Sequence, residues 1–322
     1  GYDNIPVTLP RGEATAGKKP FKIRVEDIAR DSVEKNGFSG GMCYSFESPK
    51  VFDLLLLPED AGERKAIKIS NPLGEDFSIM RTVSLNGMMT SLANNYSHRN
   101  QNVRLYEFGN IYLPKELPLT ELPEERMQLT LGMYGDCDFF TLKGALEDLF
   151  GDLGLGGQAE YVPVKDHPFM HPGRQADVLI GGERAAYIGQ MHPQAVENYD
   201  MKGEVYVAVI DMPVICEKAT FDRKYTGVAK FPAMKRDLSM VVRKEIFVGQ
   251  IEKIFREKGG KLLEGFELFD VYEGDQIDKG YKSVAYSLTF RAQDRTLEEA
   301  EVNKIVDKIL DELKTLGIEL RA

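Results

Sequence analysis

The sequence predicts an α+β chain of two domains, an antiparallel sheet domain with helices over residues 1–222 followed by a βαββαβ unit over 223–322. Three observations carry this expectation. Apolar residues recur every three to four positions in some segments and every second position in others, in a chain of 322 residues, long enough for two cores. The last hundred residues alternate strand and helix periods in a clean order. Charge also divides unevenly: residues 224–322 hold 18 basic and 18 acidic side chains, leaving 23 basic and 33 acidic before them, so the whole net charge of −10 sits in the first part. Such a split points to domains with different partners. An RNA contact is expected on the neutral one, because phosphate binding is driven by Lys and Arg displacing counterions.

In chain order, the opening residues carry Pro6, Pro10, Gly12, Gly17 and Pro20 and read as an irregular arm. A helix is predicted over 21–35, where Phe21, Val25, Ile28, Ala29 and Val33 form one stripe and Gly37 follows as a cap. A short strand is predicted over 42–46. Ser84 opens a second amphipathic helix with Leu85, Met88, Met89, Leu92 and Tyr96 on one side. NVRLYEFGNIYL, 102–113, reads as two paired strands turning at Gly109-Asn110. Phe139, Leu142, Ala145, Leu146 and Leu149 mark a third helix stopped by Gly151, and strands near 178–180, 185–188 and 204–210 complete the domain.

In 223–322, strands are predicted over 237–242, 261–272 and 282–291, with a helix over 247–258 ended by Gly259-Gly260. Thr296-Leu-Glu-Glu299 reads as a capping box for a helix whose Val302, Ile305, Val306, Ile309, Leu310 and Leu313 face inward. Gly317 ends that helix and 318–320 supplies a last strand. The order is the split-βαβ, ferredoxin-like one, which specifies a fold and not a function.

Composition and motifs exclude several classes. No apolar run approaches the roughly 20 residues that span a bilayer, so no membrane partner is expected, and GYDNIPVTLPRGE lacks the basic and apolar regions of a signal peptide. Cys43, Cys137 and Cys216 are odd in number and far apart, which fits a reducing, cytoplasmic setting. His167 and His171 have i, i+4 spacing, yet each precedes a proline, which disfavours the helix such metal ligands need. Gly154-Leu-Gly156-Gly157 follows a helix rather than a strand, unlike a dinucleotide loop. No metal site and no catalytic constellation is predicted in this chain.

Several motifs in order carry a resemblance. FPAMKRDLSMVV (231–242), LFDVYEG (268–274), KSVAYSLTFRAQDRTLEEAEVN (282–303) and the closing GIELR resemble the ferredoxin-fold anticodon-binding domain of phenylalanyl-tRNA synthetases. GYDNIP (1–6), GMCYSFESP (41–49), NPLGEDFSIMRTVSLNGMMTSLANN (71–95), VRLYEFGNIY (103–112) and IGQMHPQAV (188–196) resemble the class II synthetase-like module of that family's bacterial β subunit. The module is also similar, more faintly, to the family's catalytic α subunit, through MRTVSLNGMM (80–89), DFFTLKGALEDLF (138–150), HPFMHPGRQADV (167–178) and IGQMHPQAV.

The resemblance implies that chemistry has been lost here. Class II activation needs arginines from motifs 2 and 3 to stabilise charge at the α-phosphate of ATP. Arg81 remains, but Arg81-Thr-Val83 stands where Arg-x-Glu is expected, the second motif 2 arginine is replaced around Leu113, and GEVYVAVIDMPVI (203–215) carries no motif 3 arginine. The fragment alone is expected to be inactive, with no cofactor of its own, while ATP and magnesium serve the complete enzyme. The family's magnesium-associated acidic stretch and its editing domain are expected before Gly1.

The family assembles as two α and two β chains, so the helix-then-strand of motif 1 is expected to meet the α subunit through Phe21, Val25, Ile28, Met42, Tyr44 and Phe46. The second implied partner is phenylalanine tRNA. Strand 282–291 alternates apolar with small polar residues. With two helices covering one sheet face, Ser283, Ser287, Thr289 and Arg291 are expected on the open face, which suits unstacked bases. Tyr272 is the expected stacking residue, and Lys235, Arg236, Lys282, Arg291 and Arg295 the expected phosphate contacts. Two other readings are a stand-alone RNA-binding or assembly factor built from synthetase parts, and an active class II ligase, against which the missing motif 3 arginine stands.

Overall fold

The computed structural model describes residues 1–321 apart from 10, 14, 15, 226, 275 and 276, so Pro10 of the arm lies outside the described residues. The chain divides into two compact units, Gly1–Arg223 and Lys224–Ala322.

In the first unit a seven-stranded sheet lies between two layers of helix. Its elements are α1 (Phe21–Lys35), β1 (Ser39–Gly40), β2 (Phe46–Glu47), α2 (Val51–Leu54), β3 (Ile79–Met80), α3 (Leu85–Ser97), β4 (Val103–Leu113), β5 (Glu124–Tyr134), α4 (Phe139–Asp152), β6 (Ala159–Pro163), β7 (Met170–Ile180), β8 (Glu183–Met191), α5 (Pro193–Asn198), β9 (Val205–Asp211) and α6 (Met212–Lys218). The sheet order is β1-β4-β5-β9-β8-β7-β6, antiparallel throughout except for the β1–β4 pair. On one face Val25, Ala29 and Val33 of α1 join Leu142, Leu146 and Leu149 of α4 over Leu129, Leu131, Ala208 and Ile210. On the other, Leu85, Met88, Met89 and Leu92 of α3 join Ala195 and Val196 of α5 over Val205, Val207 and Val209. β9 reads Val-Tyr-Val-Ala-Val-Ile because a strand covered on both faces has no solvent side to alternate toward.

The second unit comprises β10 (Met234–Arg243), α7 (Val248–Gly259), β11 (Leu263–Tyr272), β12 (Tyr281–Phe290), α8 (Glu299–Thr315) and β13 (Glu319–Leu320), with sheet order β11-β12-β10-β13. This is the ferredoxin-like arrangement. Leu238, Met240 and Val242 of β10 and Tyr286, Leu288 and Phe290 of β12 face Phe255 of α7 and Val302, Ile309 and Leu313 of α8. The cap of α8 differs from expectation. Glu298 is the N-cap, its backbone N–H donating to Glu301 Oε2 at 3.1 Å, so the box begins two residues after Thr296.

Gly109 also departs from the sequence reading. β4 runs straight through Gly109-Asn110, and the turn comes later, between Leu113 and Glu124. The glycine is needed for space rather than for turning. A Cβ at 109 would overlap Nη2 of Arg81 and lie 2.9 Å from its Cζ. In that hole the guanidinium donates to Glu107 Oε1 at 3.0 Å and to the Asn110 carbonyl at 2.6 Å. Both side chains of the pair are buried, 4% and 2% exposed. Glu107 Oε1 also accepts the Cys43 N–H at 3.0 Å, and the Ser45 carbonyl accepts the Arg81 N–H at 2.9 Å. These bonds take up the Cys43 N–H and the Ser45 carbonyl, and of the strand expected over 42–46 only Phe46 pairs; strand pairing in this stretch is limited to Ser39–Gly40 and Phe46–Glu47. Gly109→Ala is expected to destabilise the chain by about 3–5 kcal/mol, the cost of stripping one partner from a buried pair. Asn110→Ala, whose side chain reaches only exposed Glu125, should stay within about 0.5 kcal/mol; paired denaturant titrations measure both.

Candidate functional site

One face of the second unit's sheet carries α7 and α8, and the other presents four cross-strand rows. Lys235, Thr289 and Gly265 form the first row; Asp237, Ser287 and Glu267 the second; Ser239, Ala285 and Asp270 the third; Val241, Ser283 and Tyr272 the fourth. Two register shifts in β11, between Leu263 and Gly265 and between Leu268 and Asp270, bring its residues into these rows. At the fourth row the Arg321 guanidinium lies 5.9 Å from the centre of the Tyr272 ring, while its backbone N–H donates to the Ser239 carbonyl at 2.8 Å. Tyr272 leans over Gly274, whose missing Cβ leaves the space its hydroxyl fills.

The expected site residues separate on this geometry. Tyr272, Ser287, Thr289 and Lys235 share the open face, and Lys235 is exposed. Ser283 is on that face but only 3% exposed, so it is not an accessible contact. Arg236 is not on the face: it pairs with Leu288, shares the side of Leu238 and Met240, and its Nη2 lies 2.9 Å from Glu299 at the start of α8. Lys282 pairs with buried Val242 and likewise belongs to the helix side. Arg291 is engaged, its Nε 2.9 Å from both oxygens of Glu264 and its Nη1 donating to the Phe231 carbonyl at 2.6 Å. Arg295 pairs with Asp294 and Glu301 at 3.2 and 2.7 Å. Asp237, Glu267, Asp270 and Arg321 were missed by the sequence reading. Period-two alternation could have found Asp237, because a strand with Leu238, Met240 and Val242 inward turns 235 and 237 out and 236 in.

In the first unit, Val25 is fully buried in the core and Ile28 is half-buried. Val25 is therefore core rather than surface. Phe21, Met42 and Tyr44 are exposed, at 47%, 97% and 69%, and Phe46 is half-buried. Tyr44 rests edge-on against Phe77 at 5.6 Å.

Among the described residues, the face under α3 holds no phosphate-binding charge in position. Arg81 is committed to Glu107, which lies on β4 within the long β4–β5 hairpin. β9 passes directly into α6 through Asp211, whose carboxylate caps the Val214 N–H. The space over Val205, Val207 and Val209 is filled by α3 and by Phe169, Met170 and Tyr199. These residues do not fit ATP. The buried carboxyl of Glu47 there has its pKa pushed up to about 7 by burial, against the opposing Asn86 hydrogen bond and the Arg81 charge. Its Oε2 accepts from Asn86 Nδ2 at 2.9 Å, and Asn86 Oδ1 accepts from Tyr199 at 2.9 Å, a chain that ties β2 to α3 and α5. Among the described residues no group of three or more His, Cys, Asp or Glu side chains is placed to hold a metal ion. His167 pairs with Asp177 at 2.9 Å, and His171 accepts the Gly173 N–H at 3.1 Å. No described helix is long and apolar enough to cross a membrane.

Comparison with known proteins bears on both units. The family described as the phenylalanyl tRNA synthetase beta chain CLM domain matches residues 5–212, and the ferredoxin-fold anticodon binding domain matches 229–321. The phenylalanine–tRNA ligase beta subunit of Clostridium tetani is 44% identical over 322 residues, and that of Clostridium acetobutylicum 41%. Each comparison covers all of this chain and 40% of the relative, so the chain spans two-fifths of their length. A solved pyrrolysyl-tRNA synthetase from Desulfitobacterium hafniense superposes with a TM-score of 0.51 at 14% identity, over 61% of this chain and 68% of that one, a likeness of fold alone. With a synthetase-like sheet covered on both faces and a ferredoxin-like unit with one open face, the chain belongs to the phenylalanyl-tRNA synthetase β-chain family.

Proposed function

We propose that this chain is the non-catalytic part of a phenylalanine–tRNA ligase β subunit, that its first unit supports assembly with the catalytic α subunit, and that its second unit binds the anticodon region of phenylalanine tRNA. The observation that carries the tRNA reading is the sheet of the second unit, covered by helices on one face only, with a tyrosine, hydroxyls, carboxylates and an exposed lysine on the other. Such a face reads unstacked bases by stacking and edge hydrogen bonds. The holoenzyme would be an assembly of two α and two β chains, using ATP and magnesium on α, in the cytoplasm, where three free cysteines stay reduced. The contact surface for α is assigned to exposed Phe21, Met42 and Tyr44, with Ile28 and Phe46 behind them.

The isolated chain is expected to give no phenylalanine-dependent ATP–pyrophosphate exchange, because its one relevant arginine is buried in an ion pair; exchange above an Arg81→Ala control would overturn this. In the assembled enzyme, hydrogen exchange should slow across 38–47 relative to the free chain, and unchanged exchange would remove the assembly assignment. In full-enzyme tRNA binding, Tyr272→Ala should cost about 1–3 kcal/mol with little change in salt dependence. Lys235→Ala should make the salt dependence shallower by about one neutralised phosphate. Arg291→Ala and Arg236→Ala should instead lower the unfolding midpoint and leave the salt slope alone. Wild-type binding by Tyr272→Ala and Lys235→Ala together would show that the face is not the tRNA site.

A further inference from the structure

A cleft of about 660 Å3 in the first unit, at the end of the filled face under α3, opens where α3 ends and β5 and β9 meet, lined by Tyr96, Arg99, Gln101, Tyr134, Lys202 and Glu204 among others. Its walls are fixed. Tyr134 donates from its hydroxyl to the Asn100 carbonyl at 2.9 Å and meets Tyr96 edge-on at 5.8 Å, while Asn102 Oδ1 accepts the Asp136 N–H at 2.7 Å. Two cations reach it from separate segments, Arg99 just past the end of α3 with φ 65° and Lys202 before β9. Among the described residues neither has an ion-pair or hydrogen-bond partner for its side chain. The carboxylate on the rim, Glu204, is occupied by Tyr206 at 2.6 Å and Arg174 at 2.9 Å, and those two bonds hold its pKa below the usual range.

We propose that this cleft binds one nucleotide of single-stranded RNA, its phosphate between Arg99 and Lys202 and its base against Tyr96. The volume falls within the range of small-ligand sites. The chemistry, an aromatic face with two unpaired cations and an amide side chain, is that of single-strand recognition. The negative end of the α3 dipole opposes a phosphate there, but the terminal carbonyls of Asn94, Asn95 and Tyr96 already accept from the N–H groups of His98, Asn100 and Arg99. Cys137 and Glu204 also line the cleft; burial, opposed by the Arg104 charge and reinforced by Asp138, Asp136 and Glu204, raises the Cys137 thiol pKa.

This inference takes only the ligand class, RNA, from the function proposed above, and one experiment separates the two. A hexaribonucleotide containing 4-thiouridine is photocrosslinked to the 322-residue chain and the adducts are mapped to peptides. Adducts are expected at 96–101 or 202–204. Arg99→Ala with Lys202→Ala, both exposed positions where truncation leaves the fold intact, should cut their yield about tenfold and weaken its salt dependence, whereas Tyr272→Ala should leave it unchanged. Absence of cleft adducts at saturating probe, an unaffected yield in the double variant, or loss of cleft adducts in Tyr272→Ala would each overturn the site. Failure of the sheet-face reading looks different: adducts would be missing from 224–321 while those in the cleft persist.

Discussion

The buried pair between Arg81 and Glu107 organises the first unit. Moving two charges out of water is costly, and their attraction offsets that cost better the more of the remaining hydrogen-bonding capacity is met. Arg81 also engages the Asn110 carbonyl and Glu107 Oε1 also receives the Cys43 N–H, whereas among the described residues Glu107 Oε2 is buried without a hydrogen-bond partner. Those demands fix a glycine at 109, pull the 41–45 segment off the strand path and anchor the entry to α3. With α3 in place, the sheet face beneath it closes over with apolar side chains. An arginine of the type that could hold a phosphate is here desolvated and committed to the fold.

What was legible in the sequence was whatever depends on period. The stripe of Phe21, Val25, Ala29 and Val33 gave α1 its observed bounds, and alternation in β12 sorted Val284, Tyr286, Leu288 and Phe290 from the small polar residues between them. What was not legible depends on residues far apart in the chain. Gly109-Asn110 has turn composition, and only the position of Arg81 explains why it is extended. Arg291 reads as a free cation until Glu264, brought beside it by a bulge, takes it up. Ser283 reads as an open-face hydroxyl, yet it lies in the row of Tyr272, against which Arg321 arrives from the far edge of the sheet. Bulges, tertiary ion pairs and coverage by distant side chains leave no local signature.

The open face also has a charge pattern that single residues did not disclose. Lys235 stands at one end and Arg321 at the other, with Asp237, Glu267 and Asp270 between them. A face with carboxylates at its centre repels a continuous phosphate track and offers acceptors to the amino groups of bases. Recognition there would rest on base edges more than on backbone charge, consistent with the unit's equal numbers of basic and acidic residues.

The two bulges in β11 have a further effect at the rim of the sheet. β11 is the long outer strand, with Phe269 and Val271 more than half or half exposed, and a straight strand of that composition would be a template for pairing with another chain. Each bulge breaks the even spacing of N–H and C=O groups along the rim, and Glu264, Glu267 and Asp270 place negative charge beside them. The distortions that bring Tyr272 into its row thereby guard the protein against strand-to-strand aggregation.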